Sequence, residues 1–293
     1  MLKDRRTEIT VALLLVAPFV AIYGWLFIYP TIQMVNLSFT NAPLIGPGEW
    51  VGIDNYIKLF SDRIFKRAIW NTSYFVLLTV IPGTLVALTI ALMVSRLKGW
   101  MQSMVLAAFF LPFILPVTVV YLIWQWMTDL QYGIIQYVIT PIVGQPVNVF
   151  RRPAWFLPMA ALVTVWWTNG FSILLFLAGL KNIPTELYEA AELDGADRWQ
   201  QFTRITWPLI WPVTALVLTI QLILQIKVFD QVYLMLAGGG RSDLSMVLVM
   251  YVYTAAFERN QAGFASTIAL ALFVIVAVVA VLQFQALRFR SSK

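Results

Sequence analysis

The chain has 293 residues, of which 60% are apolar or aromatic by the AVILMFWYC count. Only 12% are charged, about half the ~25% of a soluble globule, so most of the surface must meet lipid rather than water. The absence of cysteine and histidine excludes disulfides, thiolate and imidazole metal ligands, a cysteine nucleophile and a histidine base. The net charge of +6 comes from scattered basic residues without a run of five, which points to membrane topology rather than nucleic acid.

A membrane helix needs roughly 20 mostly apolar residues. The long charge-free intervals predict six of them, at about 9–34, 70–94, 103–127, 156–180, 207–235 and 264–287, forming one all-α transmembrane domain over residues 1–293. The first span follows Lys3, Arg5 and Arg6 as a secretory leader would. Its apolar stretch is too long and lacks a small-x-small cleavage site, so it is expected to stay as an anchor. Pro18, Pro82, Pro112 and Pro116 fall within predicted spans, which is ordinary membrane-helix composition, with gating kinks as the alternative. Residues 130–150 are uncharged but carry Gly133, Pro141, Gly144 and Pro146 and read as a broken surface or re-entrant segment. Residues 244–257 are too short to span and read as an interfacial or re-entrant helix.

Sidedness follows from the basic residues. If residues 1–8 are cytoplasmic, the inner segments 1–8, 95–102, 181–206 and 288–293 hold eleven Lys and Arg in about 48 positions. The outer segments 35–69, 128–155 and 236–263 hold eight in about 91. The density predicts that both termini are cytoplasmic.

The most informative segment, 181–208, joins spans four and five. Asn182 is placed to cap a short helix with Pro184 in its opening turn; helix formers continue to Leu193, and Gly195 supplies a stop. Asp197 and Gln200 then make a capping-box start for a second helix that enters the membrane. The first helix carries Glu186, Glu189, Glu192 and Asp194 beside a small apolar strip of Leu187, Ala190 and Ala191. On composition alone this is a solvated amphipathic surface helix.

The order Glu189, Ala190, Ala191, then Gly195, Ile205 and Pro208, at these spacings, resembles the EAA loop of binding-protein-dependent ABC importer permeases, with Trp207 where that family usually has Leu. Further matches suggest the sugar-transporting branch. These are Tyr29 and Pro30, Ser38 and Phe39, the run from Gly52 to Tyr56, Phe229 and Asp230 with the glycines at 238–240, and Tyr251, Tyr253, Ala256, Phe257 and Gly263. The resemblance implies a type I importer permease fold in a bacterial inner membrane. It also implies a second, different permease subunit, two ATPase subunits and an extracytoplasmic solute-binding protein. The 181–206 loop would be the helix that docks on the ATPase, with Glu189 making a polar contact and Gly195 the tight turn. ATP and magnesium would sit on that partner and no cofactor on this chain, which has no GxxxxGK[ST].

Gln221, Gln225, Lys227, Asp230 and Gln231 occupy the second half of predicted span five, where polar groups are costly unless they face protein or water. They read either as interhelical hydrogen-bonding groups or as the wall of a transport pathway, and Lys227 with Asp230 as an i,i+3 ion pair. Trp166, Trp167, Asn169 and Ser172, with Thr168, combine ring faces with amide and hydroxyl groups suited to a sugar, though many tryptophans serve interfacial belts. An ion-coupled transporter would bury acids at mid-membrane and repeat its halves; Asp230 is the one candidate acid within a span, and no repeat is evident. An intramembrane enzyme lacks its residues for the reasons given above.

Overall fold

The computed structural model describes residues 2–237 and 245–291; the glycines at 238–240, Arg241 and Lys293 lie outside the described residues. Among the described residues regular structure is helical, apart from one antiparallel bridge between Thr40 and Trp50. Helix α1 (Leu2–Tyr23) passes through a π-helical turn, Gly24–Ile28, into α2 (Tyr29–Leu37), and α3 is Asp54–Ser61. Next come α4 (Arg63–Val94), α5 (Gly99–Ile114), α6 (Val117–Met127), α7 (Gln136–Val143) and α8 (Pro153–Lys181). The remainder are α9 (Glu186–Leu193), α10 (Arg198–Gln201), α11 (Trp207–Ile226), α12 (Asp230–Ala237), α13 (Leu248–Tyr253) and α14 (Ala262–Ser291).

Among the described residues five stretches are long and apolar enough to cross a membrane: Thr10–Leu37, Arg63–Val94, Pro153–Lys181, Arg198–Ile226 and Ala262–Gln283. The pair α5 and α6 makes a sixth if taken together, but it is bent by 101°. The single helix expected over 103–127, with Pro112 and Pro116 inside it, is therefore broken rather than kinked, and the cause is Pro116. Proline has no N–H and crowds the preceding residue out of the α region, and Leu115 sits extended at φ −69°, ψ 137°.

The fifth span also differs from expectation. The helix ends at Ile226 rather than near 235, and a new one begins at Asp230. Lys227 is the C-cap of α11 and Asp230 stands in the first turn of α12, where a cation and an anion respectively suit the helix ends. Their expected i,i+3 relation is lost with the helix between them. Residues 130–150 form a short α7 within irregular chain, held by buried Gln136. Its Nε2 donates to the carbonyls of Thr128 (2.9 Å) and Val147 (3.1 Å), and its Oε1 accepts from the Val147 N–H.

The helices gather into two compact units. One comprises residues 1–65 and 251–274. Within it the Asn55 amide donates to the carbonyls of Ser38 and Thr40 (2.9 and 2.8 Å), Ser38 and Tyr56 share a 2.7 Å hydroxyl bond, and Gly263 N–H donates to Ala42 C=O. Ser38, Asn55, Tyr56 and Gly263 are residues of the family-like patterns read from the sequence, brought together here as loop scaffolding. Buried Tyr251 donates its hydroxyl to Asp62; burial first, and then that carboxylate, push its pKa well above the usual phenol range.

The second unit comprises residues 66–250 and 275–293. Its core joins Ala87, Leu88 and Ala91 of α4, Ile173 and Phe176 of α8, and Ile210 and Val217 of α11. Small residues on α4 let the larger side chains of α8 and α11 fill the space between helices, as is usual where lipid supplies no hydrophobic drive for association. Helix α5 packs extensively along α8.

Candidate functional site: an exposed helical hairpin and a buried amide network

Both features lie in the second unit. The chain leaves α8 at Asn182, which is the C-cap of that helix rather than the expected N-cap of the next; Thr185 takes the latter position with no side-chain capping bond. Helix α9 then runs from Glu186 to Leu193 and stops in a Schellman motif. Ala196 N–H donates to Ala191 C=O (2.8 Å) and Gly195 N–H to Glu192 C=O (3.0 Å), with Gly195 at φ 78°, a left-handed conformation that glycine adopts without strain. Asp197 and Gln200 form the expected capping box, each accepting from the other's backbone N–H (Asp197 Oδ1 at 2.8 Å, Gln200 Oε1 at 3.1 Å). From there α10, a π-helical turn at Phe202–Thr206 and α11 form one continuous helical path. The Tyr188 hydroxyl bonds the Thr206 hydroxyl (2.9 Å) and ties the two arms of the hairpin together.

Glu186, Glu189, Ala190, Asp194 and Gly195 are exposed, Ala191 is half-buried, Ile205 is half-buried in the π-helical turn, and Pro208 is exposed in the first turn of α11. Among the described residues, none of Glu186, Glu189, Glu192 and Asp194 is paired with a cation. The hairpin thus offers four unneutralised carboxylates around a patch of alanine. Leu193, which the sequence reading passed over, is 91% exposed and widens that patch. Its place one turn after Ala190 was the available signal. An exposed leucine amid unpaired carboxylates suits a partner that is apolar at the centre and basic at the rim.

The candidate pathway residues divide. Ser172 on α8 and Gln221 and Gln225 on α11 are buried and linked: Gln221 Nε2 donates to Ser172 Oγ (2.9 Å) and Gln225 Nε2 to Gln221 Oε1 (3.2 Å). Asn169 is buried one helical turn before Ser172. Among the described residues the Oε1 of Gln225 and the Oδ1 of Asn169 are buried acceptors without a donor. Trp167 spends its indole N–H on the Leu115 carbonyl (3.1 Å) at the α5–α6 bend, and Trp166 is 42% exposed, edge-on to Trp124. Asp230 is exposed beyond the end of α11 and does not join the network.

Several helices long and apolar enough to cross a membrane, two of them joined by an exposed hairpin, define a multi-pass membrane protein. Comparison with known proteins agrees: residues 83–290 match the family described as binding-protein-dependent transport system inner membrane component. The chain is 33% identical over 267 residues to the sulfoquinovosyl glycerol transport system permease protein of Agrobacterium fabrum, covering 90% of this chain and 86% of that one. It is 30% identical over 283 residues to the trehalose/maltose transport system permease protein of Thermococcus litoralis, covering 91% and 94%. Among solved structures it resembles, at TM-score 0.85 and 25% identity, a chain of a bacterial ABC transporter involved in the import of the acidic polysaccharide alginate, covering 98% of this chain and 97% of that one.

The chain belongs to the binding-protein-dependent transport system inner membrane component family. It is a multi-pass permease subunit rather than an enzyme, and the ATPase of its transporter is a separate chain.

Proposed function

We propose that this permease imports a carbohydrate or carbohydrate derivative by alternating access, driven by two ATPase subunits that bind ATP and magnesium and dock on the α9 hairpin. The hairpin then faces the cytoplasm, as do both termini, in keeping with the denser basic residues of those segments. A second permease subunit, a different chain, completes the pathway, and an extracytoplasmic solute-binding protein delivers the cargo. The likeness to an alginate transporter in complex with its oligosaccharide-bound periplasmic protein, at TM-score 0.84, supports that last partner.

The observation that carries the coupling role is the exposed, unpaired acidic face of α9 with Ala190, Ala191 and Leu193 at its centre. The carbohydrate cargo rests on relatives named for sulfoquinovosyl glycerol, trehalose and maltose, arabinooligosaccharides and lactose. The amide oxygens of Asn169 and Gln225, buried without a donor among the described residues, suit a cargo rich in hydroxyl hydrogens.

The test is ATP-driven uptake into proteoliposomes holding the complete transporter and a panel of carbohydrates, with amino acids as the contrasting class. Uptake of a carbohydrate that requires the binding protein is expected, and uptake of amino acids alone refutes the cargo assignment. In the same vesicles Glu189→Lys is expected to abolish most uptake and weaken ATPase retention, because it sets a cation where an anion serves the contact. Wild-type uptake and retention in that variant would remove the hairpin from the mechanism.

A further inference from the structure

Beside α9 lies a depression of about 910 Å3, within the ~300–1,000 Å3 range of ligand sites. Three cations line it: Arg96 after α4, Lys181 at the end of α8 and Arg198 at the start of α10. No acidic side chain lines it, and among the described residues none of the three cations has an ion-pair partner. Lys181 Nζ donates to Gln102 Oε1 (3.0 Å) and keeps two further N–H groups. Arg96 follows the C-terminus of α4 and Lys181 is the last residue of α8, and the carbonyls at helix C-termini favour a cation. Helix ends do not account for Arg198, which sits in the first turn of the stretch Arg198–Ile226, where the dipole favours an anion.

An aromatic ladder runs from the rim of this depression into the apolar helix. Ring centroids are 5.8 Å apart from Trp199 to Phe202, 6.3 Å from Phe202 to Trp207 and 5.7 Å from Trp207 to Trp211. Trp199 is 71% exposed. Exposed tryptophan at the end of a membrane helix marks headgroup depth. A depression with cations inside it and apolar rings leading away from it along the helix suits a ligand with an anionic head and an apolar tail.

We propose that this depression binds the headgroup phosphate of an anionic phospholipid, with Arg96, Lys181 and Arg198 as its cationic contacts and an acyl chain against Phe202, Trp207 and Trp211. Basic pockets between membrane helices recognise acidic headgroups by this combination of charge and depth. Thr185, the N-cap of α9, and Tyr188 within it form part of the wall, so a bound lipid braces the hairpin against the ends of α4 and α8. The depth assignment rests on the family membership; the test reads lipid binding and is independent of ATPase docking.

The full-length chain, extracted in detergent with its transport subunits and delipidated, is titrated with phosphatidylglycerol or phosphatidylcholine and bound lipid is counted by native mass spectrometry. Wild type is expected to bind phosphatidylglycerol selectively. The triple variant Arg96→Gln, Lys181→Gln, Arg198→Gln is expected to bind it about a hundredfold more weakly, from three charges near an acidic headgroup. The exposed single variant Arg198→Gln is expected to lose about fivefold, which keeps the test decisive if the triple variant does not fold. Lys98→Gln, outside the depression, serves as the charge control and is expected to match wild type. Equal phosphatidylglycerol binding by wild type and Arg198→Gln overturns the site. Saturable binding of inorganic phosphate without preference between the two lipids overturns the phospholipid as its occupant.

Discussion

Gly170→Ala tests the packing that holds the α5–α6 bend against α8. Three successive features of α8 grip the end of α5: Trp167 donates to the Leu115 carbonyl (3.1 Å), Gly170 lies on the backbone of Phe109 and Phe110, and Phe171 stacks on Phe113 with centroids 5.7 Å apart. A Cβ at Gly170 would overlap the Phe109 carbonyl oxygen and stand 2.8 Å from the Phe110 Cα and 3.0 Å from the Phe109 carbonyl carbon. These are backbone atoms, which cannot rotate away, so the two helices must separate and loosen the contacts on either side. Overpacking of this kind costs about 1–3 kcal/mol, against ~1 kcal/mol gained from replacing glycine by alanine within a helix. The net expectation is a loss of up to about 2 kcal/mol, with Gly170→Leu failing to accumulate. Gly83→Ala is the control, since its Cβ meets nothing closer than a Val165 methyl at 3.6 Å and should be neutral or stabilising. The assay is thermal unfolding in detergent, followed by size-exclusion chromatography of the residual folded protein. Gly170→Ala melting at or above wild type, with Gly83→Ala unchanged, would refute the close-approach argument.

Gly195→Val is expected to cut transport while leaving expression intact, because its φ of 78° strains a β-branched residue by ~1–3 kcal/mol though nothing lies within 4 Å of the added Cβ. Gly195→Asn should retain more uptake than Gly195→Val, since asparagine tolerates that conformation; equal loss in both would remove the backbone explanation. The chain has no native cysteine, so Gln225→Cys and Asp230→Cys can be labelled singly with a water-soluble thiol reagent. Asp230→Cys, exposed beyond α11, should label in every state, and Gln225→Cys only in the state that opens the pathway, with protection by cargo. Absence of labelling at Gln225→Cys in all states would leave the Ser172, Gln221 and Gln225 chain as helix-to-helix bonding alone.

The periodic and punctuated parts of this fold are legible in the sequence because their causes are local. Long charge-free intervals mark the spans, Asp197 and Gln200 write their own capping box, and Gly195 its own stop. What escaped depends on which of two local rules prevails. Pro116 could kink a helix or end it, and with Leu115 extended and its carbonyl taken by Trp167 it ends α5. Lys227 and Asp230 could pair along one helix or finish one and begin another, and the helix ends attract them more strongly. Asn182 could cap forwards or backwards, and the incoming α8 claims it. For the candidate site, residue identities and spacing were readable in advance, while the pairing of Gln221 with Ser172 is a tertiary fact that no single segment encodes.

The proposed function requires the α9 hairpin to face the cytoplasm and touch the ATPase. Ala190→Cys places one thiol on its exposed face in an otherwise cysteine-free chain. A membrane-impermeant maleimide is predicted to label it in inside-out vesicles and not in intact cells, and a short bifunctional thiol reagent to join it to the ATPase subunit in a nucleotide-dependent manner. Labelling from outside intact cells, or labelling from inside that yields no cross-link in any nucleotide state, would contradict the account.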